Sequence, residues 1–172
     1  MVLLIIGVLA ALALPSYSRY VRTSARADAQ SQMLKLAGDL ERWRSKNLSY
    51  AGFIPDGGFA ATGGSITSAL NATIYIPAGS DSTNYKYQLA LLDGTNRSNP
   101  LAVGALTAGQ RWVLIAQPNT TNSSLNLASR LVLSSQGVRC MTNTAVTDAS
   151  MRANIVGTSS DSALCVGISL AW

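Results

Sequence analysis

The chain has 172 residues, of which 48% are apolar and 12% charged. That suffices for one domain with a core and excludes a disordered charged tail. Histidine is absent, and Glu41 is the single glutamate among 8 carboxylates. This excludes Ser-His-Asp and Cys-His catalysis and a His-ligated zinc site. We expect no enzyme, no cofactor, no metal site and no small-molecule substrate. The net charge is +5, with seven basic and three acidic residues in 1–50, against six and five in 51–172. The globular remainder is thus nearly neutral, unlike most nucleic-acid-binding domains.

Met1 to Leu14 reads MVLLIIGVLAALAL and contains no polar residue. A bilayer needs about 20 such residues. Three readings stand. One is a cleaved signal peptide with Ala11-Leu12-Ala13 as its site. The second is a buried core helix. The third is a membrane helix whose first residues precede Met1. Gly7 and Ala11 form a small-xxx-small pair that would let apolar helices approach closely.

From Tyr17 the chain turns polar but keeps a helical period. Ala25, Ala29, Met33, Leu36, Ala37, Leu40 and Trp43 fall on one stripe. Asp39 with Arg42, and Glu41 with Arg44, are spaced to support a helix. The pattern predicts one helix of about fifty residues, apolar all round at its start and amphipathic afterwards. Pro15 should kink or loosen it.

The segment MVLLIIGVLAALALPSYSRYVRTSARADAQSQMLKLAGDLERW resembles the type IV pilins. Gly7, Pro15, Tyr17, Tyr20 and Arg26-Ala27-Asp28-Ala29 stand where that family places them. The basic leader, cleavage site and early glutamate of the family are not in this sequence. The resemblance implies that roughly seven mature residues precede Met1, which would complete a membrane span. It also implies that Arg19, Arg22 and Arg26 lie outside the cytoplasm, against the positive-inside rule.

After Tyr50 a Gly-rich connection begins. Tyr85, Tyr87, Leu89 and Leu91 alternate with Lys86 and Gln88, as in a half-buried strand. Residues 111–117, RWVLIAQ, suit a central strand. Leu131 to Leu133 precede a turn. Leu164, Val166, Ile168, Leu170 and Trp172 alternate with small residues. Together these predict a long helix packed on an antiparallel sheet, and the resemblance to the pilins implies their α+β fold, with about four strands and a disulfide-bounded C-terminal region. The expected organisation is 1–23 as the filament-core half-helix and 24–172 as the globular domain. Within that domain we expect the amphipathic half-helix at 24–48, a connecting loop at 51–82 and the sheet at 83–134. A disulfide region at 140–165 and a terminal strand at 163–172 complete it. The helix–sheet core should contain Met33, Leu36, Leu40 and Trp43.

Cys140 and Cys165 enclose 24 residues. In an exported protein they would pair, and a loop of that size gains roughly 3 kcal/mol in the chain-entropy model. Several Asn-x-Ser/Thr triplets occur, among them those at Asn47 and Asn119, but none is assigned as a glycan site. Asp81, Asp93, Asp148 and Asp161 read as solvated turn residues, since no calcium-loop run exists. Arg19, Arg22 and Arg26 could meet phosphates or acidic groups of neighbouring subunits. Lys86, Arg97, Arg111, Arg130, Arg139 and Arg152 could bind DNA if they formed one surface.

The resemblance implies a structural pilin that polymerises into a helical filament of identical subunits. Val2, Leu3, Leu4, Ile5, Ile6, Val8, Leu9, Leu12 and Leu14 would pack the filament core. The segment Gly7–Pro15 would lose helical structure there. The expected partners are the inner membrane before assembly, the pilus assembly machinery, and DNA or surface ligands. The expected location is the cell-surface pilus. Alternatives are a minor pilin, a type II secretion pseudopilin, or a DNA-uptake receptor at the pilus tip.

Overall fold

A computed structural model describes residues 2–56, 73–97, 99–102 and 107–141, with side chains from Tyr17 onward. One helix, α1 (Val2–Asn47), is followed by β1 (Thr73–Ile76), β2 (Tyr87–Asp93), β3 (Trp112–Pro118), β4 (Leu131–Ser134) and β5 (Arg139–Met141). The strands form one antiparallel sheet in chain order, β1-β2-β3-β4-β5. This is the expected α+β arrangement.

The backbone of α1 is a single 46-residue helix that runs through Gly7 and Pro15. It ends where Leu48 takes a left-handed φ of 57°. The Leu48 N–H still donates to Arg44 O at 2.7 Å, a left-handed cap that satisfies one terminal carbonyl. Ala25, Ala29, Met33, Leu36 and Leu40 are buried, while Ala37 and Trp43 are partly buried against them. The predicted stripe is therefore the face that meets the sheet.

Strand parity decides the rest of the core. Tyr87, Leu89 and Leu91 of β2 share a cluster with Trp112, Leu114 and Ala116 of β3 and with Leu131 and Leu133 of β4. The register pairs Leu91 with Leu114, and Leu114 with Leu133, so these side chains stack on the helix side. The alternate residues Leu92, Val113, Ile115, Val132 and Cys140 form a second buried cluster on the other face. That explains why all seven residues of β3 are buried, as expected of a central strand.

Two boundaries need correction. The expected loop 51–82 contains β1, so the sheet begins at Thr73 rather than 83. Among the described residues the sheet has five strands, because β5 adds Arg139–Met141 beyond the expected end at 134. Both missed strands are short, at four and three residues, too short to show a period. The expected strand 163–172, Asp148, Arg152, Asp161 and Cys165 lie outside the described residues.

Candidate assembly helix and surface

Three layers of contacts fasten α1 to the domain. At its C-terminal end, the Trp43 indole N–H donates to Ala51 O at 3.3 Å. The Trp43 ring meets Phe53 edge to face, with centroids 6.0 Å apart. Tyr50 is buried beneath this return, and its hydroxyl donates to Glu41 Oε1 at 2.7 Å. The same hydroxyl accepts from Arg44 Nη1 at 3.2 Å, and the Arg44 guanidinium lies 5.2 Å from the Tyr50 ring centroid. The expected Glu41–Arg44 pairing is thus relayed by a phenol from the following loop. Burial, and then the bond to Glu41, push the Tyr50 phenol above its ordinary range. Asp39 and Arg42 pair directly at 3.4 Å, as their spacing predicts.

Midway along, Met33, Leu36 and Leu40 fill the helix–sheet core with Trp43 at its edge. Beside them is a groove of about 350 Å³ between α1 and β1, lined by Lys35, Asp39, Asp56, Ile74 and Tyr75 among others.

Nearer the N-terminus, two arginines are committed within the chain. Arg22 Nε donates to Ser124 O at 2.9 Å, in the β3–β4 loop. Arg26 Nη1 lies 3.8 Å from Met141 Sδ on β5. Tyr87 backs this region, and its hydroxyl donates to Ser129 O at 2.7 Å. Burial pushes the Tyr87 phenol up to about 12. Arg22 and Arg26 therefore tie the helix to the sheet and its loop, rather than standing ready for phosphates as a set of three. Arg19 is exposed with Tyr17 and Tyr20 at 66% and 72%.

The residues proposed for filament packing, from Val2 to Leu14, lie on the helical backbone but precede the first described side chain. Among the described residues, no helix is long and apolar enough to cross a membrane. Cys140 is buried in the outer cluster of the sheet. Its expected partner Cys165 is outside the described residues.

The five described members of the scattered basic set, Lys86, Arg97, Arg111, Arg130 and Arg139, are not alike in exposure. Arg97 and Arg130 are buried, Lys86 and Arg111 half-buried, and Arg139 exposed. Other exposed cations lie on α1, where Lys35, Arg42 and Lys46 share one side of the helix by their spacing and Arg44 is turned away from them toward Tyr50. The excess of positive charge in 1–50 carried that signal, but composition does not say which face it occupies.

Asp93 corrects another expectation. It is wholly buried, not solvated. One carboxylate oxygen accepts from Thr95 N–H at 2.8 Å; the other accepts from Ala108 N–H at 2.6 Å and from the Thr107 hydroxyl. The residues it gathers lead to Gly109, whose carbonyl accepts from Tyr50 N–H at 2.9 Å. Asp93 thereby braces the seat of the helix end. Asp81 is exposed in a turn as expected. Among the described residues, no group of three or more His, Cys, Asp or Glu could hold a metal.

The sequence model of a family described as type IV minor pilin ComP, DNA uptake sequence receptor, matches residues 15–125. That span runs from Pro15 through the helix, β1, β2 and β3 into the β3–β4 loop, nearly two thirds of the chain. The chain belongs to this family of type IV pilins. Searches of curated proteins and of solved structures find no match. The pilin's long helix, antiparallel sheet and committed helix–sheet contacts are what the N-terminal resemblance implied.

Proposed function

We propose that this pilin is a minor subunit, carried in a type IV pilus by its N-terminal helix, that captures DNA with its globular domain. The match across 15–125 to a family described as a DNA uptake sequence receptor carries this reading. It acts by assembly and binding rather than by catalysis, in keeping with the absence of histidine. The apolar half-helix holds an inner-membrane pool before assembly and then packs among neighbouring helices at the cell surface. Phosphates are met first by Arg42 and Lys46, which are exposed one turn apart on the same side of α1. Each neutralised phosphate releases counterions, so affinity falls as salt rises.

The test is duplex DNA binding by the full chain in detergent, followed over a salt series. Arg42→Ala and Lys46→Ala should each flatten the log–log salt slope by about 1. Binding indifferent to salt, or to both substitutions, sinks the proposed surface. Deletion of the gene separates the subunit classes. Pili retained with DNA uptake lost supports a minor pilin; loss of the pili themselves supports the filament-forming subunit.

A filament-building role remains the second reading, favoured by the continuous helical backbone of α1. It carries the expectation that Gly7–Pro15 unwinds in the assembled filament. Unbroken i to i−4 hydrogen bonds through that segment in a filament map would end that expectation.

A further inference from the structure

Three of the exposed large apolar side chains lie toward the N-terminal end of α1, on the helix or on the loop pinned to it. Tyr17 and Tyr20 are 66% and 72% exposed and stand three residues apart, on one side of α1. Leu127, 62% exposed, is in the β3–β4 loop. The Arg22–Ser124 bond holds that loop to the helix less than two turns from the tyrosines. Leu125, in the same loop, is fully buried and anchors it. Leu127 therefore projects from a braced loop.

This end is where the helix changes character. The uncharged run Val2–Leu14 lies on one side of it, and Arg19 and Arg22 begin the polar side. Tyrosines favour the boundary between hydrocarbon and headgroups, where the ring is apolar and the hydroxyl wet. Arginine beside them can lay its stem along apolar surface and direct its charge to lipid phosphate. A leucine alone on a surface needs no explanation. Here it sits on the loop that is pinned to the helix at this boundary.

We propose that Tyr17, Arg19, Tyr20 and Leu127 form a footing that seats the globular domain on a phospholipid surface before assembly. The helix residues fix the depth of the chain. Leu127 gives the domain a second point of contact and so a fixed tilt. The proposal rests on the membrane-held pool of the proposed function.

The experiment places the photoreactive residue benzoylphenylalanine in turn at positions 17, 20 and 127 of the full chain. Position 48 is the control, because Leu48 is 90% exposed but about 40 Å along the helix axis from Arg22. Each variant is reconstituted in phosphatidylethanolamine–phosphatidylglycerol vesicles containing a biotinylated phospholipid, and near-ultraviolet circular dichroism verifies its fold. Lipid adducts at 17, 20 and 127, each several-fold above those at 48, are the expected result. Adducts at 17 and 20 with only the control level at 127 overturn the footing while leaving the membrane-held pool intact. Adducts at none of the positions overturn the pool as well. Cross-links from 127 to a second copy of the chain, without lipid adducts, overturn the footing in favour of a subunit interface.

Discussion

At the residue scale, single atoms set how the helix end is seated. Gly109 has φ +62°, and a Cβ there would lie 2.7 Å from Ala51 Cβ and 2.9 Å from Ala51 N. Backbone strain and overpacking act together, so Gly109→Ala should lose about 2–4 kcal/mol in urea unfolding. Gly79→Ala, at φ +84° with open space around it, should lose less, because only the strain term applies. Equal losses would show that the contact with Ala51 is unimportant. Tyr87 makes a prediction in pH. Its folded value is raised to about 12 because the neutral phenol is the form the core accepts. The unfolded chain ionises first, so this contribution is complete below pH 10 and is lost as pH rises toward about 12. The urea midpoint should fall over that window, and fall less in Tyr87→Phe. A parallel decline in both proteins would remove Tyr87 as the cause. The burial of Asp93 had a faint sequence signal, the Asp93-Gly94 pair closing an apolar run. Its partners Thr107 and Ala108 lie too far along the chain for that signal to name them.

At the scale of elements, packing of α1 on the sheet is the main apolar interface. Leu40 is fully buried there, whereas Leu34, six residues earlier, is 45% exposed on another side of the helix. Leu40→Ala should cost about 2–5 kcal/mol. Leu34→Ala should stay within about 0.5 kcal/mol of the parent. Thermal or urea melts of the two variants check the assignment of faces, and similar losses would contradict it. The helix was legible because seven apolar positions repeat at helical spacing over nineteen residues. Strands β2, β3 and β4 were legible for the same kind of reason. Their boundaries shifted by no more than two residues, as strand ends usually do. β1 and β5 were not legible. Each joins the sheet through registers such as Ile76 with Tyr87 and Val132 with Cys140, and that pairing is absent from local sequence.

At the scale of the whole molecule, the sheet has two apolar faces, and only one is covered by α1. Cys140 belongs to the other, with Val113, Ile115 and Val132. A bond from this position to Cys165 would tether the last segment of the chain to the buried outer cluster. Non-reducing peptide mapping of the protein from its native envelope should give one Cys140–Cys165 peptide pair. Cys140→Ser should then lower stability by about 2–5 kcal/mol. Two free thiols in the mapping would reject the pairing. The basic character follows a similar logic of scale. Charge counting located it in the first fifty residues, but Arg22 and Arg26 are spent on the fold while Arg42 and Lys46 face solvent.

The sequence by itself determined the long helix, the face it buries, the three longer strands and the family, because each rests on local periodicity or on residues adjacent in the chain. Tertiary structure alone decided which arginines tie the helix to the domain and that Asp93 is a buried brace. It likewise decided that Tyr50 joins Glu41 to Arg44 and that two short strands, β1 and β5, extend the sheet. Those outcomes depend on groups brought together from distant positions, and the pairing energy that selects them exists only once the chain has folded.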